Sequence, residues 1–146
     1  MINHEGRILI CERLERPGAW QFPQGGVDEG ESAREAVLRE VSEEIGLSPE
    51  DYGIEDWRGG YRYDYPPDVM AGKPARKAWF VGQEQTYFLC RVGPQAPPVD
   101  LMQEPREFSQ ARWILPSEFQ LSWLPDFKQA TYREVLKDFF GVDLKA

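Results

Sequence analysis

Histidine is almost absent from this chain, which has one, His4, in its 146 residues. A catalytic triad, a zinc hydrolase or a histidine general base would have to depend on that residue alone. Cysteine is nearly as scarce: Cys11 and Cys90 each lie in an apolar run and form no Cys-x-x-Cys pair. We therefore expect two buried thiols and no structural zinc site. Acid–base chemistry must come mainly from carboxylates.

Long apolar runs and excess positive charge are also missing. No run approaches the roughly 18 residues that span a bilayer, and the first six residues lack the pattern of a secretory signal. We therefore expect a cytoplasmic protein with no membrane partner. The formal net charge of −8 argues against binding long nucleic acid by charge alone. An acidic protein can still handle phosphates if a divalent cation supplies local positive charge.

The length and the hydrophobic content of 41% are typical of one globular domain, which we predict over residues 1–146. Sequence patterns predict strands over 7–11, 61–65, 83–92 and 111–115, a short extended stretch over 20–22, and helices over 32–45 and 126–140. Loops are predicted over 24–26, 67–78 and 93–105. Strands mixed with two helices in a small chain indicate a layered α/β or α+β domain.

Both predicted helices carry end signals. Ser32 and Glu35 have the spacing of a capping box, and Gly46 stands where a helix is usually closed. Gly141 would end the second helix in the same way. The predicted apolar stripe of that second helix consists of Phe127, Val135, Leu136 and Phe139.

The first helix carries a cluster of glutamates. Glu40, Glu43 and Glu44 are spaced i, i+3 and i+4, so they share an arc of roughly 100° on one face. The adjacent arc must face the core, and it holds Val37, Leu38, Val41 and Ile45. Like charges repel at the margin of a buried surface, and Mg²⁺, which prefers oxygen ligands, suits such a cluster. For three glutamates alone, a solvated acidic face is the alternative interpretation.

The surrounding segment favours the metal site. The run over residues 25–47 resembles the Nudix box at every defined position, namely Gly25, Glu31, Arg39, Glu40, Val41, Glu43, Glu44, Gly46 and Leu47. This resemblance implies an α/β fold, the Nudix α/β/α sandwich, in which a mixed β-sheet is flanked by the Nudix-box helix and a C-terminal helix. It also implies hydrolysis of a phosphoanhydride bond by in-line attack of water, with Mg²⁺, or Mn²⁺ as a substitute.

The resemblance also assigns roles within the box. Glu40, Glu43 and Glu44 match the metal ligands, and a backbone carbonyl near Gln24 or Gly25 would complete the coordination. Arg39 matches the arginine that orients a ligand glutamate. Glu31 matches a supporting position in the loop.

Outside the box, five segments resemble the bacterial RNA pyrophosphohydrolases and the related dinucleoside polyphosphate hydrolases: residues 20–26, 61–66, 82–89, 107–113 and 127–133. In that subgroup, Glu107 matches a fourth metal-ligand glutamate, Phe127 an aromatic that stacks on the base, and Lys128 a lysine that meets phosphate. Arg62 and Tyr87 are further candidate substrate contacts.

Each of these residues also has a structural interpretation. Glu107 could be a loop charge, Phe127 a core residue and Lys128 a solvated lysine. Tyr61, Tyr63 and Tyr65 could fill a strand face. Arg62 and the loop cations Lys73, Arg76 and Lys77 could contact phosphates or keep the loop soluble.

The sequence departs from the subgroup at two points. Thr86 replaces its usual lysine, and the subgroup's N-terminal Tyr-Arg-Pro strand has no counterpart before residues 7–11. Either that strand is missing or the start lies upstream. The leading prediction is a hydrolase for the 5′-triphosphate end of RNA, for dinucleoside tetraphosphates, or for both. The alternatives are a Nudix enzyme for a nucleotide sugar, ADP-ribose or an oxidised deoxynucleoside triphosphate, and a non-catalytic nucleotide-binding module. We expect a monomer or a homodimer.

Overall fold

The computed structural model describes residues 1–23, 30–64, 82–103 and 106–144. Within them the elements are β1 (Ile8–Arg13), β2 (Trp20–Gln21), α1 (Ala33–Ile45), β3 (Tyr52–Asp64), β4 (Gly82–Val92), β5 (Phe108–Ile114) and α2 (Asp126–Phe140). Single 3₁₀ turns lie at Pro49–Asp51, Pro116–Glu118 and Leu121–Trp123. The predicted loops over 24–26 and 67–78, with Tyr65, Lys73, Arg76 and Lys77, lie outside the described residues. No described helix is both long and apolar enough to span a bilayer.

The strands form two groups that meet through the N-terminal residues. β1 pairs antiparallel with both β2 and β5, and β3 pairs antiparallel with β4. Ile2 joins the groups: its N–H donates to the Cys90 carbonyl (2.8 Å), and its carbonyl accepts from the Val92 N–H (2.8 Å). Its bridge to Arg91 is parallel and its bridge to Ile8 is antiparallel, so the arrangement is mixed, as predicted.

Strand β1 separates two hydrophobic cores because its side chains alternate between the two faces of the sheet. Leu9 and Cys11 are buried in one cluster with Val41 and Ile45 of α1. Ile8 and Ile10 are buried in the other cluster, which includes Tyr132 and Leu136 of α2. One helix therefore covers each face, which confirms the predicted α/β/α sandwich. Cys11 and Cys90 are both buried and unpaired, also as predicted.

The predicted ends of α1 are confirmed. The Ser32 hydroxyl accepts a hydrogen bond from the Glu35 N–H (3.1 Å), and Gly46 closes the helix in the left-handed region at φ 71°. Gly46 is also tightly enclosed: a Cβ placed there would lie 2.8 Å from Gln103 Nε2 and 3.0 Å from Asp100 Cβ. The C-terminus of the acidic helix is therefore held against the chain that leads to Glu107.

We expect Gly46→Ala to destabilise the protein, because a left-handed backbone costs an L-residue about 1–2 kcal/mol and the methyl group adds crowding. Gly141→Ala is the matched control, since Gly141 has φ 67° with nothing within 4 Å of its Cβ position. Thermal melts should show a larger fall in melting temperature for Gly46→Ala. Equal falls would contradict the enclosure.

The other element bounds are partly as predicted. Helix α2 spans the predicted range and ends at Gly141, and β4 begins one position before its predicted start. The predicted start of the third strand was wrong: it begins at Tyr52 rather than Tyr61. Glycines and two shifts in its pairing with β4 break the apolar alternation in its first half. The buried stripe of α2 was predicted only in part, since Thr131, Tyr132, Val135 and Leu136 form it, whereas Phe127 and Phe139 are partly exposed.

Candidate active site

Arg39 gathers three of the acidic side chains around one guanidinium group. Its Nε and Nη2 atoms donate to the two carboxylate oxygens of Glu31 at 2.8 and 3.0 Å. Its Nη1 atom donates to Glu40 Oε1 at 2.8 Å and to Glu43 Oε2 at 3.0 Å. The bidentate salt bridge to Glu31 fixes the plane of the guanidinium group, so Glu40 and Glu43 are held in defined positions.

Glu44 differs from its neighbours because its carboxyl group is buried. The residue is 4% exposed, and neither carboxyl oxygen has a hydrogen-bond partner among the described residues. Burial, and after it the proximity of Glu40 and Glu107, raises the pKa of Glu44 to about 10. A buried carboxylate without a partner is strongly unfavourable. A bound cation would remove this penalty.

Glu107 is brought to this cluster from a distant part of the chain. It precedes β5, and its carbonyl accepts a hydrogen bond from the Leu14 N–H (2.9 Å). Its charge contributes to the raised pKa of Glu44, so the two carboxyl groups lie close together. Glu107 also lines a recess of about 530 Å³ with Arg13, Arg106 and Lys128.

Two arginines converge on Lys128. The pKa of Lys128 is lowered by burial and then by the charges of Arg13 and Arg16. These three residues line a second recess of about 330 Å³, next to Trp20 and Trp123. Arg13 also pairs with Glu15, but three cations so close together in a chain of net charge −8 still favour an anion locally. Arg13 and Arg16 were not among the predicted site residues, although their position around the turn before Trp20 was a usable signal.

A cleft of about 240 Å³ opens on the other side of Glu40 and Glu44, and Tyr87 lines it. The Tyr87 hydroxyl donates to Gln85 Oε1 (2.7 Å), and its ring packs edge-on against Tyr61 with centroids 5.4 Å apart. The aromatic ring is therefore fixed at the wall of the cleft.

The other predicted substrate contacts lie in different places. Phe127 is half-buried at the start of α2, with the Lys128 ammonium 5.9 Å from its ring centroid. Arg62 is exposed on β3 and is not among the described residues that line these three cavities. Gly25 lies outside the described residues.

The donor set fits a hard divalent cation. Within the described ranges, no three His, Cys, Asp or Glu side chains are already arranged closely enough to hold a metal ion, because Glu40 and Glu43 face Arg39. The orphaned oxygens of Glu44 and the nearby carboxylates nevertheless offer only oxygen ligands. Such ligands suit Mg²⁺ or Mn²⁺ rather than zinc.

The sequence is similar to a known domain family and to named enzymes. The NUDIX domain matches residues 1–139. An RNA pyrophosphohydrolase of Teredinibacter turnerae is 40% identical over 140 residues, covering 94% of this chain and 80% of that protein. One of Erythrobacter litoralis is 37% identical over 147 residues, covering 95% and 85%.

A solved structure supports the same fold. The E. coli dihydroneopterin triphosphate pyrophosphohydrolase superposes with a TM-score of 0.65, although only 16% of the sequence is identical, and the match covers 94% of this chain and 90% of that one. Together with the matched domain and the close relatives, these findings show that the chain belongs to the Nudix family and is an enzyme that hydrolyses phosphoanhydride bonds.

Proposed function

We propose that this enzyme removes pyrophosphate from the 5′-triphosphate end of RNA in a Mg²⁺-dependent reaction. The observation that carries the proposal is the identity of 37–40%, over most of the chain, to relatives named RNA pyrophosphohydrolases. The two recesses that share Arg13 and Lys128 support it, because these cations, with Arg16 in the smaller recess, suit a polyphosphate chain. The predicted single domain, the cytoplasmic location and the oligomeric state stay predictions.

Nudix hydrolases generally need divalent metal ions. Here Glu40, Glu43, Glu44 and Glu107 would hold Mg²⁺, and the carbonyl of Gly25 is a further predicted ligand. When bound, the cation neutralises phosphate oxygens and makes the attacking water more acidic. The buried carboxyl group of Glu44, which has no hydrogen-bond partner in the part of the chain that the structure describes, supports its place among the ligands.

Side chains of the enzyme carry out the rest of the reaction. Glu40, Glu44 and Glu107 are the candidates for the base that accepts a proton from the attacking water. Lys128 would neutralise and orient the phosphates, and Phe127 beside it offers a partly exposed ring for stacking on a base. Arg39 does not need to touch the substrate, because its hydrogen bonds set the positions of Glu40 and Glu43.

A substrate panel with Mg²⁺ tests the proposal. It compares 5′-triphosphorylated RNA with diadenosine tetraphosphate, ADP-ribose, a nucleotide sugar and an oxidised deoxynucleoside triphosphate. We expect the highest kcat/KM for the RNA. A higher value for diadenosine tetraphosphate would reassign the enzyme to dinucleoside polyphosphates, which carry the same kind of polyphosphate chain. A higher value for any other compound would overturn the proposal, and no turnover at all would indicate a binding module.

Arg39→Lys should lower kcat/KM by about 10–100-fold, the range for losing a group that orients metal ligands. Lysine keeps the charge but lacks the planar fork needed to hold three carboxylates together. Arg34→Lys is the matched control, because Arg34 is exposed on the same helix, and it should leave the rate unchanged. Similar losses in both variants would contradict the orienting role of Arg39.

A further inference from the structure

Strand β3 contains a bulge at Gly59 and Gly60, one residue before Tyr61 and two before Arg62. Arg58 pairs with Tyr87 and Tyr61 pairs with Gln85, so Gly59 and Gly60 together stand opposite the single residue Thr86. Gly60 has φ 84°, a conformation that favours glycine. Side chains alternate along a strand, and one extra residue reverses the faces of all that follow. The bulge therefore determines on which face Arg62 emerges.

The contacts of Tyr61 identify the faces. Its hydroxyl donates to Asp138 Oδ2 of α2 at 2.8 Å, and the residue is 6% exposed. Tyr61 thus points toward α2, and Arg62, its neighbour, emerges on the opposite face. That opposite face is the one covered by α1, since Cys90 of β4 is buried there with Val41 and Ile45.

Helix α2 holds strand β3 at the two residues that follow the bulge, Tyr61 and Arg62. The Thr131 hydroxyl donates to the backbone carbonyl of Arg62 at 3.1 Å, and Thr131 is 3% exposed. Asp138 lies two helical turns after Thr131 and accepts from Tyr61. Two consecutive strand residues are therefore fixed by one helix, and a slip in register would break both hydrogen bonds.

We propose that Thr131, supported by Asp138, is a positioning residue that locks the bulged register of β3 and so presents Arg62 on the face of the acidic helix. The inference rests on the proposed function and on the predicted role of Arg62 as a contact to the phosphates of the substrate. Lys128 lies one turn before Thr131 on α2. This helix therefore positions two cations, Lys128 directly and Arg62 through the strand.

A double-mutant cycle tests the proposal with Thr131→Val and Arg62→Gln. The substrate is the panel member with the highest kcat/KM, so the result does not depend on which polyphosphate is preferred. In Arg62→Gln we expect KM to rise about 10-fold, the effect of losing a hydrogen bond from a charged group. In Thr131→Val we expect a rise of about 5-fold, the effect of losing a hydrogen bond between neutral groups. In both variants kcat should stay within about twofold, since binding rather than chemistry changes.

The decisive result is the double variant, which should have the KM of Arg62→Gln alone, because Thr131 acts only through Arg62. Thr131→Ser keeps the hydroxyl and should restore KM. Lys137→Gln, at an exposed lysine of the same helix, controls for loss of charge and should leave KM unchanged. If Thr131→Val fails to fold, Asp138→Ala replaces it in the cycle, because Asp138 is exposed.

Two outcomes would overturn the proposal. If Thr131→Val raises KM by the same factor in the Arg62→Gln variant as in the wild type, Thr131 does not act through Arg62 but stabilises the fold in general. If Arg62→Gln leaves KM unchanged, Arg62 does not contribute to substrate binding, and Thr131 has no substrate contact to position. Neither outcome would alter the substrate preference found with the panel, so the proposed function is judged separately.

Discussion

Glu44→Gln is expected to lower kcat/KM by about 10³-fold, within the range for loss of an essential acid–base group, while the fold stays intact. The amide has nearly the shape of the carboxyl group but cannot carry its negative charge. The fold should survive because the raised pKa of Glu44, about 10, means that the cation-free protein already holds this side chain in its neutral form at pH 7. Steady-state kinetics with Mg²⁺ and a thermal melt measure the two effects.

Glu35→Gln is the matched control for that experiment. Glu35 belongs to the same helix but is exposed in its first turn, so kcat/KM should not change. If the kcat/KM of Glu44→Gln stays within about threefold of the wild-type value, a change of about 0.7 kcal/mol, Glu44 is not a catalytic residue.

Divalent cations are expected to raise the melting temperature of the wild-type protein by about 8 °C at a concentration a hundredfold above Kd. Binding at that excess adds about 2.7 kcal/mol to the free energy of unfolding, and each kcal/mol shifts the midpoint by about 3 °C for a domain of this size. The physical reason is the partnerless carboxyl of Glu44 beside Glu40 and Glu107. Differential scanning calorimetry with Mg²⁺ or Mn²⁺ measures the shift, which Glu44→Gln should largely abolish.

The rise in melting temperature caused by the cation should grow with pH. Glu44 has a raised pKa in the folded protein, about 10 against an ordinary 4.5, so its contribution to stability is fully present below pH 4.5 and is lost as pH rises toward 10. Without a cation, stability should therefore fall between roughly pH 6 and pH 9, because the unfolded chain has released a proton that the folded chain retains. A bound cation replaces that proton. A shift that is flat or decreasing with pH in the wild type would contradict this account.

The features that depend on local spacing could be predicted from the sequence. The cap at Ser32, the closure at Gly46 and the range of α2 follow from neighbouring residues, and the structure has all three. The start of β3 could not be predicted, because its register depends on pairing with β4 rather than on its own alternation. The bulge at Gly59 and Gly60 becomes visible only once that partner strand is known.

The candidate site, too, could be predicted from the sequence only in part. Helical spacing places Glu40, Glu43 and Glu44 on one face but cannot tell which is buried. Tertiary contacts decide which one is buried: Arg39 binds Glu40 and Glu43, whereas Glu44 is buried and feels the charge of Glu107. Arg13 and Lys128 line the same recess although they are more than a hundred positions apart in the sequence. No local sequence pattern could predict that they lie close together.

The sharing of one guanidinium by Glu31, Glu40 and Glu43 has a consequence for how this segment can evolve. Loss of Arg39 would leave three carboxylates without the cation that they share, and loss of any one glutamate would remove one of the groups that fix the guanidinium in place. The four residues therefore act as one unit, and we expect them to vary together rather than singly.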